Sequence, residues 1–391
     1  MLKIIKKTVN FILITGVSLI LMPLTLLLIL RIPLVQTYVV QGVAKYISTE
    51  LKSTVSVGKV DFAYLNRIIL EDVLIKDNNS DTLIYARKVN AGIRELSPKK
   101  NIIRLGRVHI TDPLFALITD SSGTSNLNWY LDKLSSGSAD TTEGGSSLFQ
   151  VAKIDITGGR FELIDRTTDN KTEGINFSDL RLGSMNGAIE NLIIAGDSLS
   201  LNISDMALKE SNGFGIRDMN SNLLIHGPNI ILSNTSIICD SSIINADRIA
   251  LLADSSSSFS RFLQEVKLDV ILKKSLINLT ELNYFVPFIK NINESVWISG
   301  HVSGTISELK GRNINLSYKD QTNLDCNFDF SGLPDFRNTF MYVDINDFRS
   351  TSHDVEQITI PGKGKLLVPE PLRKLGVVSF SGTLQDFQLI L

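Results

Sequence analysis

The sequence predicts a mainly β protein in which an N-terminal transmembrane helix and an amphipathic helix precede an elongated, curved antiparallel β-sheet. Three observations lead there. An uncharged apolar run occupies Thr8 to Leu30, the apolar period is helical from Ile32 to Leu51, and from Thr54 onward it changes to two and hardly changes back.

Thr8–Leu30 reads as a retained membrane anchor. At a rise of ~1.5 Å per residue it makes a helix about 34 Å long, enough to cross a hydrocarbon core of about 30 Å. It contains no A-x-A cleavage site, so it is not expected to be removed. Lys3, Lys6 and Lys7 precede it and only Arg31 follows closely, a bias that holds the N-terminus in the cytoplasm and exports the rest of the chain. Residues 1–31 are thus assigned to a cytoplasmic N-terminus and anchor, and residues 32–53 to the amphipathic helix. There Val35, Val39, Val43, Tyr46, Ile47 and Leu51 recur at helical spacing while Gln36, Gln41, Lys45 and Glu50 point elsewhere, and Pro33 suits the first turn. Such a stripe can lie on a membrane surface or cap the end of the sheet; with only Lys45 and Lys52 as basic residues, the cap is favoured.

Residues 54–134 form a first β segment. Val55 and Val57, Val60 and Phe62, Ile68 to Lys76, Thr82 to Ala86 and Lys88 to Ile93 are strand-like, with Asp77–Asp81 as a turn. Arg107–Ile110 and Leu114–Thr119 are separated by Asp112-Pro113, where proline removes a ladder donor and favours a bulge or an edge. Leu127–Leu134 is a short helix candidate. Residues 135–148 contain the run SSGSADTTEGGSS, too poor in apolar groups to offset its ordering entropy, and are expected to be a flexible loop.

Residues 149–391 continue the alternation. The residues expected on its apolar side are Ile154, Ile156, Phe161, Leu163, Leu199, Leu201, Ile203, Leu268, Val270, Leu272, Val296, Ile298, Leu316, Leu324, Phe328 and Phe330, with Lys153, Asp155, Ser200, Asn202 and Ser204 on the other. Leu276–Ile289 reads as a helical interruption. Ser-Gly recurs at 299–300, 303–304, 331–332 and 381–382, in keeping with bends in curved strands. Phe380–Leu391 is still alternating at the last residue, which suggests a fragment of a longer chain.

Little in the sequence supports chemistry. A net charge of -2 argues against a nucleic-acid partner. His109, His226, His301 and His353 stand alone, without a second ligand at metal-binding spacing. Asp77-x-Asn79-x-Asp81 begins like a calcium loop, but Thr82 takes the place of the turn glycine and Lys88 that of the bidentate glutamate. No G-x-S-x-G elbow occurs, and Gly362-Lys363-Gly364-Lys365 lacks phosphate-loop spacing. No catalytic residue, metal or cofactor is expected. Cys239 and Cys326 are far apart; a bridge is open to them, with two buried free thiols the favoured state.

A sheet with one apolar face packs on a second sheet, rolls into a barrel, or stays open as a groove. Aromatics are scarce at 7%, a weak point against a sandwich core. A groove of Ile, Leu and Val behind a membrane anchor suits acyl chains. An exported β-rich enzyme or binding domain would instead carry its site on loops such as Asp77–Asp81 and Asn212–Asp218.

The anchor, the helix around Pro33–Leu51, Val55-Ser56-Val57-Gly58-Lys59-Val60, DNNSDTLIY at Asp77–Tyr85, Ser125-Asn126-Leu127, Ile154-Asp155-Ile156 with Gly159 and Phe161, and Gly332-Leu333-Pro334-Asp335 occur in an order that resembles the amino-terminal part of the TamB family. These are translocation and assembly module proteins of the AsmA-like superfamily, here of the Bacteroidota type. The resemblance covers essentially the whole chain, through loose motifs. It implies a single-pass inner-membrane anchor and a taco-shaped β groove in the periplasm that carries phospholipid passively toward the outer membrane. The alternative it leaves is a scaffold for outer-membrane protein assembly. The family's carboxy-terminal domain, which meets an outer-membrane barrel partner, has no counterpart here.

Overall fold

The computed structural model describes residues 32–51, 53–63, 66–77, 79–97, 100, 102–127, 129, 148–167, 175–176, 178–285, 292–335, 338–360 and 364–386. The predicted anchor Thr8–Leu30, the loop Ser135–Ser147, Val286–Ile289 and the last five residues lie outside them, as does nearly all of the helix predicted at Leu127–Leu134. Among the described residues no helix is long and apolar enough to cross a membrane.

Helix α1 (Pro33–Leu51) leads into β1 (Thr54–Ala63), β2 (Arg67–Lys76), β3 (Thr82–Ser97), β4 (Ile102–Thr119), β5 (Leu148–Asp165), β6 (Asp179–Ala195) and β7 (Ser198–Glu210). Then come β8 (Gly215–His226), β9 (Asn229–Cys239), β10 (Ile243–Leu252), the short helix α2 (Phe262–Glu265), β11 (Lys267–Asn278) and the single turn α3 (Leu279–Leu282). β12 (Ser295–Gly304), β13 (Glu308–Tyr318), β14 (Thr322–Ser331) and β15 (Phe340–Thr351) follow. After α4 (Ser352–Gln357), the two-residue strands β16 (Thr359–Ile360) and β17 (Gly364–Lys365) and the turn α5 (Glu370–Arg373), β18 (Val377–Asp386) rejoins the sheet.

β1 to β15 and β18 make one open, curved sheet of 16 strands in chain order, so neither the barrel nor the sandwich is formed. At ~4.8 Å per strand its arc is about 70 Å long. Every neighbouring pair is antiparallel except β4 and β5, which run parallel, a departure from the all-antiparallel expectation. Parallel neighbours need a connection of at least ~12 residues, and Asp120–Ser147 supplies it. The segment read as a loop is therefore the crossover.

Two predicted breaks fall within single long strands. β3 runs unbroken through Arg87, and β4 through Asp112-Pro113, where Asp112 takes φ 48° opposite Gly158 of β5 at φ 69°. Proline here interrupts an interior strand, not an edge. Asp205, Asn234 and Asn313 also take positive φ inside strands, a conformation Asn and Asp tolerate better than most residues. At three of these kinks a backbone donor is taken by an asparagine side chain of the next strand. Gly158 N–H donates to Asn186 Oδ1 at 3.0 Å, Asp205 N–H to Asn220 Oδ1 at 3.0 Å, and Asn313 N–H to Asn327 Oδ1 at 2.9 Å. The Ser-Gly pairs behave as expected: Gly300 and Gly304 lie at φ 139° and 101°.

Leu276–Ile289 is not one helix. β11 continues to Asn278, whose side chain accepts N–H groups of Thr280 and Glu281 and winds only the turn α3.

Helix α1 covers the outer edge of β1, as favoured, and polar groups of the helix bond the strand's backbone. Gln36 is 5% exposed and its Oε1 accepts the Phe62 N–H at 2.7 Å; Thr37 Oγ1 accepts that of Val60 at 3.0 Å. Gln41 Nε2 donates to the carbonyls of Val57 and Gly58, and Ser48 Oγ accepts the Val55 N–H at 2.8 Å. Gln36 and Gln41, predicted to point elsewhere, are thus the residues that close the edge, while Leu34 and Tyr38 are exposed. An edge strand left open would template further pairing. Thr37→Val and Gln36→Leu are expected to speed amide exchange at Val60 and Phe62 respectively by about tenfold, the loss of one hydrogen bond of about 1.4 kcal/mol. Unchanged exchange measured by NMR would show that these bonds do not hold the edge.

Candidate functional site

Because side chains at paired positions of neighbouring strands share a face, the register turns alternation along each strand into rows across the sheet. One row crosses ten strands: Leu201, Leu223, Leu232, Ile249, Val270, Val302, Gly311, Phe328, Val343 and Leu384. Gly311 is its only gap, and the Phe328 ring fills it, since a Cβ there would stand 2.1 Å from Phe328 Cε1.

A second row crosses thirteen strands, from Leu96, Ile103, Phe149 and Ile194 to Leu199, Ile225, Ile230, Leu251 and Leu268, then Gly304, Leu309, Phe330 and Met341. A third joins Phe62, Ile68, Ala91, Val108, Ile154, Ile189 and Ile203 across β1 to β7. Ile298, Leu316, Leu324, Phe348 and Phe380 form a fourth at the other end.

The sixteen predicted lining residues are all half-buried. Leu201, Val270 and Phe328 lie in the first row, Leu199, Leu268 and Phe330 in the second, Ile154 and Ile203 in the third, and Ile298, Leu316 and Leu324 in the fourth. Ile156 follows Ile110, Leu272 lies between Ala246 and Gly300, and Val296 pairs with Ile277. Phe161 and Leu163 are set apart. They lie beyond the Gly158 kink, in the shorter rows Ile84–Phe115–Phe161–Leu182 and Leu117–Leu163–Leu180, with the Phe115 and Phe161 rings 6.1 Å apart. The sequence reading missed Ile249 and Val343, although each stands in an alternating run.

Many of the residues between those of the rows are charged and paired across strands. Asp155 meets His109 Nδ1 at 3.1 Å and Arg107 at 3.6 Å, and Lys153 reaches Glu190 at 2.7 Å. Asp269 takes Arg248 at 2.7 Å and His301 Nε2 at 2.8 Å, and Asp329 pairs with Arg312. The hydrogen bond from His301, with help from Arg248, holds the Asp269 carboxyl below its usual range against the opposing pull of partial burial.

The carboxylates of the turns serve their own backbone. Asp77 Oδ1 accepts the N–H groups of Asn79 and Asp81, and Asp120 Oδ1 those of Ser122 and Thr124. Arg166 forks onto both oxygens of Asp81 at 2.7 and 2.8 Å. Burial raises the Asp77 pKa, opposed by the two N–H donors. Ser198, His226 and Asp197 cluster, but both partners address the same ring nitrogen, Nδ1, which leaves no relay through the imidazole. Among the described residues, no group of three or more His, Cys, Asp or Glu is arranged to hold a metal ion. Cys239 and Cys326 are buried free thiols, and burial pushes Cys239 up to about 11.

No family model matches the chain, and a search of curated proteins finds no relative.

Asp269 has a folded pKa below its unfolded one, so its contribution to stability is present above about pH 4 and is lost as pH falls through the lower, folded value. Asp269→Asn is expected to lower stability at neutral pH and to flatten the acid limb of the unfolding curve below about pH 4. An acid limb identical to that of the parent in denaturant titrations would contradict the role of the Arg248–Asp269–His301 group.

Proposed function

We propose that the chain is a passive conduit in which phospholipid moves along the apolar face of the sheet, with no catalytic residue and no cofactor. The observation that carries this is the first row. Nine of ten consecutive strands present aliphatic or aromatic groups in register, over a path of about 43 Å at ~4.8 Å per strand, and the Phe328 ring fills the one gap, at Gly311. Apolar attraction is non-directional, so a row of similar side chains holds an acyl chain without fixing it at one place.

The setting comes from the resemblance to the TamB family: Thr8–Leu30 in the inner membrane, the N-terminus in the cytoplasm, the sheet in the periplasm, and phospholipid passing toward the outer membrane. A carboxy-terminal domain like that of the family would meet the barrel partner there. A second reading, strand-templated assembly of outer-membrane proteins, is favoured by β18. Among the described residues no strand pairs with its far edge, and Val377, Val378, Phe380 and Leu384 are 41–55% exposed.

Photo-reactive residues at Leu223, Val270 and Phe328 are expected to capture lipid in cells, whereas the same groups at Ile271 and Trp297, exposed apolar positions of the opposite face, are not. Val270→Glu is expected to reduce capture at Phe328 by at least about tenfold, since an unpaired carboxylate is costly against acyl chains. Equal capture on both faces, or none on the apolar one, would sink the conduit; captured barrel proteins at Val377 and Leu384 without lipid would favour assembly.

A further inference from the structure

Between β11 and β12 the chain crosses part of the apolar face. Past the turn α3, Glu281 Oε1 accepts the N–H of Ser241, in the turn between β9 and β10, at 2.7 Å. The rings of Tyr284 and Phe285 meet Phe214, in the turn between β7 and β8, edge-on at centroid distances of 5.8 and 5.1 Å. The Tyr284 carbonyl accepts the N–H of Ile175, just before β6, at 2.8 Å. Residues 279–285 therefore form a strap that reaches from β11 to the chain entering β6.

Beneath the strap lies a cavity of about 190 Å³ walled by Phe214, Ile237, Ile244, Ile277 and Phe285. Ile237 pairs with Ile244, and Ile277 with Val296, so the cavity continues the apolar rows. Among the described residues of its wall, Glu281 is the charged one. Among the described residues, Glu281 Oε2 is buried without a hydrogen-bond partner, and Asn283 Oδ1 on the same strap is in the same state.

A buried acceptor left unpaired costs about 1–3 kcal/mol, and more when it is charged. Such a group is normally matched by a donor. The donor here must sit among aromatic rings and beside a carboxylate, an environment that favours a cation. A quaternary ammonium has no N–H to give Oε2, whereas a primary ammonium does. At about 190 Å³ the cavity is smaller than the ~300–1,000 Å³ of sites that enclose a drug-sized ligand, so it takes one end of a molecule and not a whole lipid.

We propose that the cavity under the strap recognises the primary ammonium group of an amphipath whose hydrocarbon lies along the apolar rows. This rests on the conduit reading. The chemistry is shared by ethanolamine phospholipids and simple long-chain amines.

The full chain, loaded from vesicles of equal parts phosphatidylethanolamine, phosphatidylcholine and phosphatidylglycerol, is extracted and its bound lipid quantified by mass spectrometry. The expected result is about tenfold enrichment of phosphatidylethanolamine over phosphatidylcholine, the equivalent of one charge-assisted hydrogen bond. Glu281→Gln, whose amide oxygen still accepts from Ser241, returns that ratio to about one with total lipid unchanged. Phe285→Ala, which opens the cavity without touching the carboxylate, lowers the same ratio and serves if the first variant folds poorly. Added dodecylamine displaces the bound ethanolamine lipid if ammonium and tail suffice and leaves it in place if the phosphodiester is also read; either outcome upholds an ammonium site. Displacement by dodecanol as effective as by dodecylamine overturns it. No headgroup preference in the parent, or the same preference in both variants, overturns the ammonium site while leaving the conduit standing. No bound lipid at all removes the conduit and this site with it.

Discussion

Register between strands is the constraint on which the whole sheet depends. Side chains alternate with period two, so a slip of one residue between any two of the sixteen strands would carry an apolar row to the charged face. The rows survive because irregularities are matched. Where Asn313 inserts an extra residue into β13, the shift in its pairing with β12 recurs in its pairing with β14, and Gly311 and Phe328 stay in step beyond it. The asparagines that look like turn residues in the sequence, Asn186, Asn220 and Asn327, sit inside strands and take the backbone donors that the kinks release. Curvature is thereby obtained with the backbone donors of these three kinks paired.

A sheet with no second layer has a thin core. Full burial of apolar side chains occurs where something additional lies on or beside the strands, as at Val60 under α1, Ile118 beside Asn126 and Cys239 under the strap, and also within the sheet itself, as in the cluster of Ala91, Val108 and Val151. Elsewhere the apolar side chains are half-exposed, an arrangement a single domain folded for stability alone would normally cover. The opposite face differs in kind. Its ion pairs are partly exposed, and each contributes little on its own, typically about 0–1 kcal/mol. Their effect is to keep that face polar and so to leave only one side of the sheet attractive to apolar ligands.

The two edges are unequal in the same spirit. β1 has its outward donors and acceptors met by Gln36, Thr37, Gln41 and Ser48, so growth of the sheet at that end is blocked. At β18 the described residues end in an unpaired edge with exposed valines, Phe380 and Leu384. The strap at β8 to β11 lies part-way along the apolar rows.

The local pattern of the sequence determined which residues could share a face, where the helix of residues 33–51 lies, that Asp77 and Asp120 turn on their own backbones, and that the Ser-Gly pairs bend. These follow from periods of 3.6 and 2.0 and from the conformational range of single residues, which need no distant partner. Tertiary structure alone decided that β4 and β5 run parallel, that the sheet stays open, that Gln36 and Gln41 face the protein, and that Glu281 and Phe285 meet Ser241 and Phe214. Each of these depends on backbone hydrogen bonds or contacts between segments far apart in the chain, as between Ile175 and Tyr284, and no local period encodes which segments will meet.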